Sequence, residues 1–194
     1  MLRAESLEGC YEQLKDCIVV TIMGAVAAEL QQLGHRPNFF YLQHAMGLAS
    51  SLGLGIALSK PNCKVVVFDG DGSVLMNLGG LTTLARYAPK NLVHVIFDNE
   101  SLLSVGGFPT ATSTGTDLAG IARAAGIRRA GFVDSCEDFQ RTFTEALNAN
   151  ELTTIVAKVE AKGPKVFVTD LALLENRFGF MRHVRSVGGA LART

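Results

Sequence analysis

Two short segments carry residue types whose spacing could do chemistry. Asp69-Gly70-Asp71-Gly72-Ser73 follows the apolar run of residues 64–68 and precedes a segment with helical character. Glycines on both sides of Asp71 let backbone approach a ligand closely, and a helix start offers unpaired N–H groups to an anion. The carboxylate of Asp71 would repel a bare phosphate, a conflict that a bridging divalent cation removes. The same triplet also reads as an ordinary Asp-Gly turn. About thirty residues on, a second apolar run, residues 92–97, ends in Asp98-Asn99. Neighbouring parallel strands would set Asp71 and Asn99 side by side. Carboxylate, amide oxygen and loop carbonyl are the hard ligands that Mg²⁺ or Ca²⁺ prefers.

The elements that must position these residues follow from patterning. Residues 17–23, 39–42, 64–68, 92–97, 127–133 and 152–159 read as strands. Residues 25–33, 47–58, 77–87, 117–125 and 136–148 read as helices. Nearly unbroken β-branched strands alternating with helices indicate a parallel sheet covered on both faces. The expected fold class is α/β, a three-layer α/β/α arrangement with a mostly parallel central sheet. Residues 1–194 are expected to form a single domain. Ligands bind such sheets at the carboxyl ends of strands, which directs attention to the segments after Leu42, Phe68 and Phe97. Residues 108–115 are the longest irregular stretch, rich in small polar residues of the kind found in functional loops.

Composition narrows the function classes. Lys+Arg and Asp+Glu both number 18, so net charge is zero, which argues against nucleic-acid or polybasic membrane roles. The most apolar stretches, residues 17–28 and 46–58, are short for a membrane span, and the first ten residues lack a basic-then-apolar leader. Four cysteines include no C-x-x-C pair, so metal-ligand and redox spacings are absent and a reducing, cytoplasmic setting is expected. His94 reads as a satisfied core residue, and His35 and His183 as surface residues. Glycine, at 20 residues, is in excess. Gly47, Gly53, Gly55, Gly70, Gly72, Gly106 and Gly107 are expected where backbone would approach a ligand.

Gly70-Asp71-Gly72 with Asn99, in its strand–helix–strand context, resembles the cofactor-binding motif of thiamine diphosphate-dependent enzymes. Gln43-His44-Ala45-Met46-Gly47 is similar to the segment that cradles the cofactor's pyrimidine in the decarboxylase branch. The resemblance covers residues 17–160 and lies closest to the sulfopyruvate and phosphonopyruvate decarboxylases. It is carried further by residues 45–58, 65–81 and 104–127. It implies that Asp71, Asn99 and the carbonyl of Ser101 hold Mg²⁺, that Gly72 and Ser73 contact the diphosphate, and that Gly70 belongs to the cofactor-binding set. Gly47, Leu102 and Leu103 would line the cofactor. Met46 would wedge between the two rings and bend it, and the His44 carbonyl would accept from its amino group. The His44 side chain either relays protons or contributes through its backbone alone. In this branch a Gln is expected at Phe108 and a more polar stretch at residues 101–103, so Leu102, Leu103 and Phe108 make an apolar departure.

The resemblance implies a 2-oxo acid decarboxylase subunit that releases CO₂ and an aldehyde. Carboligation of the acetolactate type, 2-oxo acid oxidation and a catalytically silent cofactor-binding module are the alternatives. The activating Glu of such enzymes resides on a pyrimidine-binding domain, which this chain does not match. A partner subunit is expected to supply it, in a complex that is also a homo-oligomer. Glu29 and Glu100, the acids nearest the motifs, are expected to face solvent.

Overall fold

The computed structural model describes residues 1–164 and 171–187. The single-domain expectation for residues 165–170 and 188–194 lies outside the described residues. In chain order the elements are α1 (Arg3–Cys10), a 3₁₀ turn (Tyr11–Asp16), β1 (Cys17–Ile22), α2 (Ala25–Leu33) and β2 (Phe39–Leu42). There follow α3 (Ala49–Ser59), β3 (Lys64–Gly70), α4 (Asp71–Leu75), α5 (Gly79–Tyr87) and β4 (Leu92–Asp98). A short hairpin pairs β5 (Ser101–Leu102) with β6 (Phe108–Pro109). The chain continues through α6 (Leu118–Ala124), β7 (Arg129–Val133), α7 (Cys136–Asn148), β8 (Thr153–Lys158) and α8 (Leu173–Ser186).

Six strands form one sheet in the order β2-β1-β3-β4-β8-β7, with every neighbouring pair parallel. All of β1 and β4 is buried, which matches their continuous apolar runs. Val67 and Phe68, consecutive in β3, point to opposite faces. On one face α3 presses against Val67, where a Cβ on Gly53 would stand 2.2 Å from Val67 Cγ2. On the other, Phe68 stacks on Phe97 and on Phe143 of α7. Helices therefore cover both faces, giving the three layers.

Several expectations need correction. Gly53 is a packing glycine beneath the sheet, and Gly55 faces open space, so neither approaches a ligand. The helix expected over residues 77–87 starts at Gly79 as α5, and a separate short helix, α4, precedes it, because extended backbone at Gly70 leads straight into a helical turn at Asp71. The start of α3 falls at Ala49, since Gly47 has φ +83° and cannot join a right-handed helix. Neither α1 nor α8 was legible as a helix. In α1 the buried face includes Arg3 and Ser6 beside Leu7 and Cys10, so apolar periodicity does not mark it.

The chain passes from β1 to β2 on one side of β1, then returns to β3 on the other. That reversal makes the carboxyl ends of β1 and β3 the topological switch point, where open α/β sheets form their ligand crevice.

Candidate active site

A cleft opens at the switch point. Its walls bring together Met23–Val26 after β1, Met46 after β2, Gly70–Ser73 after β3, and Asn99 with residues 101–104 after β4. Of the sequence-derived site residues, Met46, Gly70, Asp71, Gly72, Ser73, Asn99, Ser101, Leu102 and Leu103 all line this one cleft. His44 and Gly47 do not. His44 is exposed, with φ +55°, while Gly47 is buried behind the wall. Gly47 N donates to Ser73 Oγ at 2.9 Å, and Asn77 Nδ2 donates to the Gly47 carbonyl at 2.8 Å. These two bonds tie the Met46 turn to α4, so Gly47 positions the site from the outside. The Ser73 hydroxyl accepts from Gly47 and keeps its own proton to donate.

Asp71 opens α4 and is 2% exposed. Its Oδ2 accepts from Thr110 Oγ1 at 2.5 Å and lies 3.2 Å from Thr112 Oγ1. Thr112 also donates to Asp98 Oδ1 at 2.7 Å. Asp98 accepts further from Glu100 N and from Lys158 Nζ at 3.3 Å, and Lys158 also pairs with Glu100. Burial raises the carboxyl pKa of Asp71, the Thr110 hydroxyl opposes that shift, and the nearby Asp98 charge adds to it. A buried carboxylate in this position is poorly compensated by protein alone, which suits it to a cation.

Asn99 Oδ1 accepts from Ser101 N at 3.1 Å, which turns the chain tightly after β4. Its carbonyl oxygen retains a second lone pair for a ligand. Glu100, between them, has φ +56°. Two of the three non-glycine residues with positive φ, His44 and Glu100, thus flank the cleft, and such strain concentrates at functional sites. Gly70 has nothing within 4 Å of where a Cβ would stand, so the backbone there is open to close approach. At Gly72 a Cβ would stand 2.3 Å from Leu102 Cδ2, because the β5–β6 hairpin folds over α4.

No group of three or more His, Cys, Asp or Glu side chains suited to a metal occurs among the described residues. A donor set of one carboxylate, one amide and one carbonyl is compatible with Mg²⁺, which takes one or two carboxylates and completes its shell with phosphate and water. The residues present therefore fit a Mg²⁺–diphosphate group better than a protein-only metal cage.

Sequence reasoning missed other residues of the site. Arg3 lines the cleft from α1, and Thr110 and Thr112 reach Asp71 from the loop after β6. Residues 22–26, at the end of β1, carry no acid, amide or hydroxyl that would mark them as a ligand wall. Glu29, expected in solvent, is 8% exposed and bonded twice to Arg3. Glu100 is half-buried and held by Lys158. His94 is fully buried, with Nε2 3.4 Å from Asp69 Oδ2, but its Nδ1 has no partner, so it is a core residue satisfied on one side only.

Comparison with known proteins identifies the family and the fold. Residues 21–157 match the family described as thiamine pyrophosphate enzyme, C-terminal TPP binding domain. The chain is 38% identical over 170 residues to the sulfopyruvate decarboxylase subunit beta of Methanocaldococcus jannaschii, covering 87% of this chain and 88% of that one. It is 41% identical over 154 residues to the phosphonopyruvate decarboxylase of Streptomyces viridochromogenes, covering 79% of this chain and 38% of that protein. The crystal structure of benzoylformate decarboxylase from Polynucleobacter necessarius superposes with a TM-score of 0.69 at 21% identity, over 86% of this chain and 34% of that one. At that identity the likeness concerns the fold.

Proposed function

The chain belongs to the thiamine pyrophosphate enzyme family through its C-terminal TPP binding domain, and on that footing we propose that it is the cofactor-binding subunit of a 2-oxo acid decarboxylase. The observation that carries the reading is the single cleft that gathers Asp71, Asn99, Ser101 and Met46 from three different strand ends. In this reading Asp71, Asn99 and the Ser101 carbonyl hold Mg²⁺, and Gly70, Gly72 and Ser73 meet the diphosphate. Bound thiamine diphosphate supplies the electron sink that lets CO₂ leave from a 2-oxo acid. This chain's residues then have three tasks. Asp71 and Asn99 fix the anionic end through the metal. Met46, half-buried on the wall, would press against the bound cofactor, and the His44 carbonyl would accept from its amino group. Leu102 and Leu103, with the hairpin above α4, exclude water from the reacting end.

Sulfopyruvate or phosphonopyruvate would be the substrate if specificity follows the relatives, which carry those names. A partner subunit with a pyrimidine-binding domain completes the site. Among the described residues Asp71 is the one acid on the cleft wall, and Glu29 and Glu100 are both engaged in ion pairs. The family resemblance assigns the activating Glu to that partner, and a β-subunit relative of nearly equal length supports the division. No helix among the described residues is long and apolar enough to cross a membrane, and all four cysteines are free thiols, which supports a reducing, cytoplasmic setting. The working complex is a homo-oligomer of such pairs.

Calorimetry tests the reading. The full chain should bind thiamine diphosphate only with Mg²⁺ present, and Asp71→Ala should abolish that binding. Metal-independent binding, or binding retained in Asp71→Ala, would remove the metal assignment.

A further inference from the structure

Arg3 is an unusual arginine. It opens α1 yet is only 4% exposed, and it lies on the cleft wall with the residues that follow β1 and β3. Nε donates to Glu29 Oε2 at 2.7 Å. Nη2 donates to Glu29 Oε1 and to the Lys162 carbonyl, both at 2.9 Å. This two-pronged pairing fixes the guanidinium plane. A guanidinium carries five N–H donors, and these bonds engage only Nε and Nη2. Nη1 makes no hydrogen bond among the described residues. Arg3 lines the cleft and Glu29 does not, so the pair presents its positive end to the cavity.

Charge bookkeeping gives that end a use. One Mg²⁺ beside the Asp71 carboxylate leaves a single net positive charge to face a diphosphate that bears several negative ones. Among the described residues Arg3 is the one basic side chain on the cleft wall. Resting on the cofactor site proposed above, we infer that Arg3 is an anion-binding residue of this cleft. Its Nη1 donates to the diphosphate, while Glu29 engages Nε and Nη2 and offsets part of the charge. Helix α1, which precedes the sheet, is thereby part of the cofactor site. The zero net charge of the chain conceals a local cation.

The test uses the full chain with Mg²⁺, titrated with thiamine diphosphate and separately with inorganic diphosphate. The variants are Glu29→Gln and the double variant Arg3→Gln/Glu29→Gln. The double change avoids stranding a buried Glu29 charge and leaves two amides able to bond each other. The double variant should bind both ligands about tenfold more weakly, the size of one charge-assisted hydrogen bond. Glu29→Gln, whose amide oxygen can still accept from the guanidinium but no longer offsets its charge, should bind both ligands more tightly. Equal losses in the two variants would mean that the pair only packs, and undiminished binding in the double variant would likewise overturn the inference. Should circular dichroism show the double variant unfolded, Glu29→Gln decides alone: unchanged or weakened binding overturns the inference, and tighter binding upholds it. An unaltered chain that binds neither ligand sinks the cofactor reading itself, and this inference with it.

Discussion

Two asparagines bracket the same strand and meet opposite fates. Asn91, just before β4, directs Nδ2 at the carbonyls of Ala57, Lys60 and Cys63, at 3.1, 3.0 and 2.8 Å. Asn38, before β2, holds the carbonyls of Leu14 and Cys17 in the same way. At the amino end of the sheet, amide groups are thus consumed in closing loops. Asn99, just after β4, accepts one backbone bond, and its amide nitrogen makes none among the described residues. Nearby, Asp71 is buried with its carboxyl pKa raised, and Glu100 holds a left-handed backbone. One end of the sheet is saturated for stability. The other keeps spare bonding capacity and strain, as a site that must receive a ligand requires.

Substitutions can break this contrast. The largest effect on stability is expected for Asn91→Ala, which strands three loop carbonyls. A loss of about 2–3 kcal/mol in chemical denaturation is expected, with cofactor affinity unchanged once the chain is folded. A loss below about 0.5 kcal/mol would show that the amino end is not saturated in the sense argued.

A smaller change of opposite sign is expected for Asp71→Asn. The folded state raises this carboxyl above its ordinary value of 3.8, so it binds the Asp71 proton more tightly than the unfolded chain does. The contribution of Asp71 therefore favours folding below that value and is lost as pH rises through the raised one. In metal-free solution Asp71→Asn should gain about 1 kcal/mol near neutral pH, and the gain should shrink toward pH 4. Thermal melts across that range measure it, and a gain that grows toward acid would contradict the sign. Mg²⁺-dependent cofactor binding should be lost in the same variant.

The smallest effect on stability belongs to Asn99→Ala, within about 0.5 kcal/mol, since the residue makes one bond to a neighbouring amide. Its effect on Mg²⁺-dependent cofactor binding should nevertheless exceed tenfold. If Asn99→Ala proved as destabilising as Asn91→Ala, the two ends of β4 would be equivalent and the contrast would fail.

Most of the sheet was legible in the sequence. The expected segments 25–33, 39–42 and 136–148 coincide with α2, β2 and α7, because apolar periodicity there is undisturbed. That Asp71 and Asn99 share one cleft was legible too, since parallel neighbours place successive strand ends together. The hairpin of residues 101–109 was not, as its strands are two residues each and carry no periodicity. Glu29 was misread for a similar reason. Its partner Arg3 is 26 positions away, in a helix whose buried face is itself partly polar.

Local patterning, then, determined what a single segment can reveal: strand or helix, the glycines around Asp71, and the acid-amide pair at two strand ends. Strand order was decided by tertiary structure, and with it the switch point that brings the end of β1 and residue 3 to the cleft. Closure of a buried cleft depends on which surfaces the whole sheet leaves for helices to cover. That choice is a sum over many distant contacts, and no window of sequence contains it.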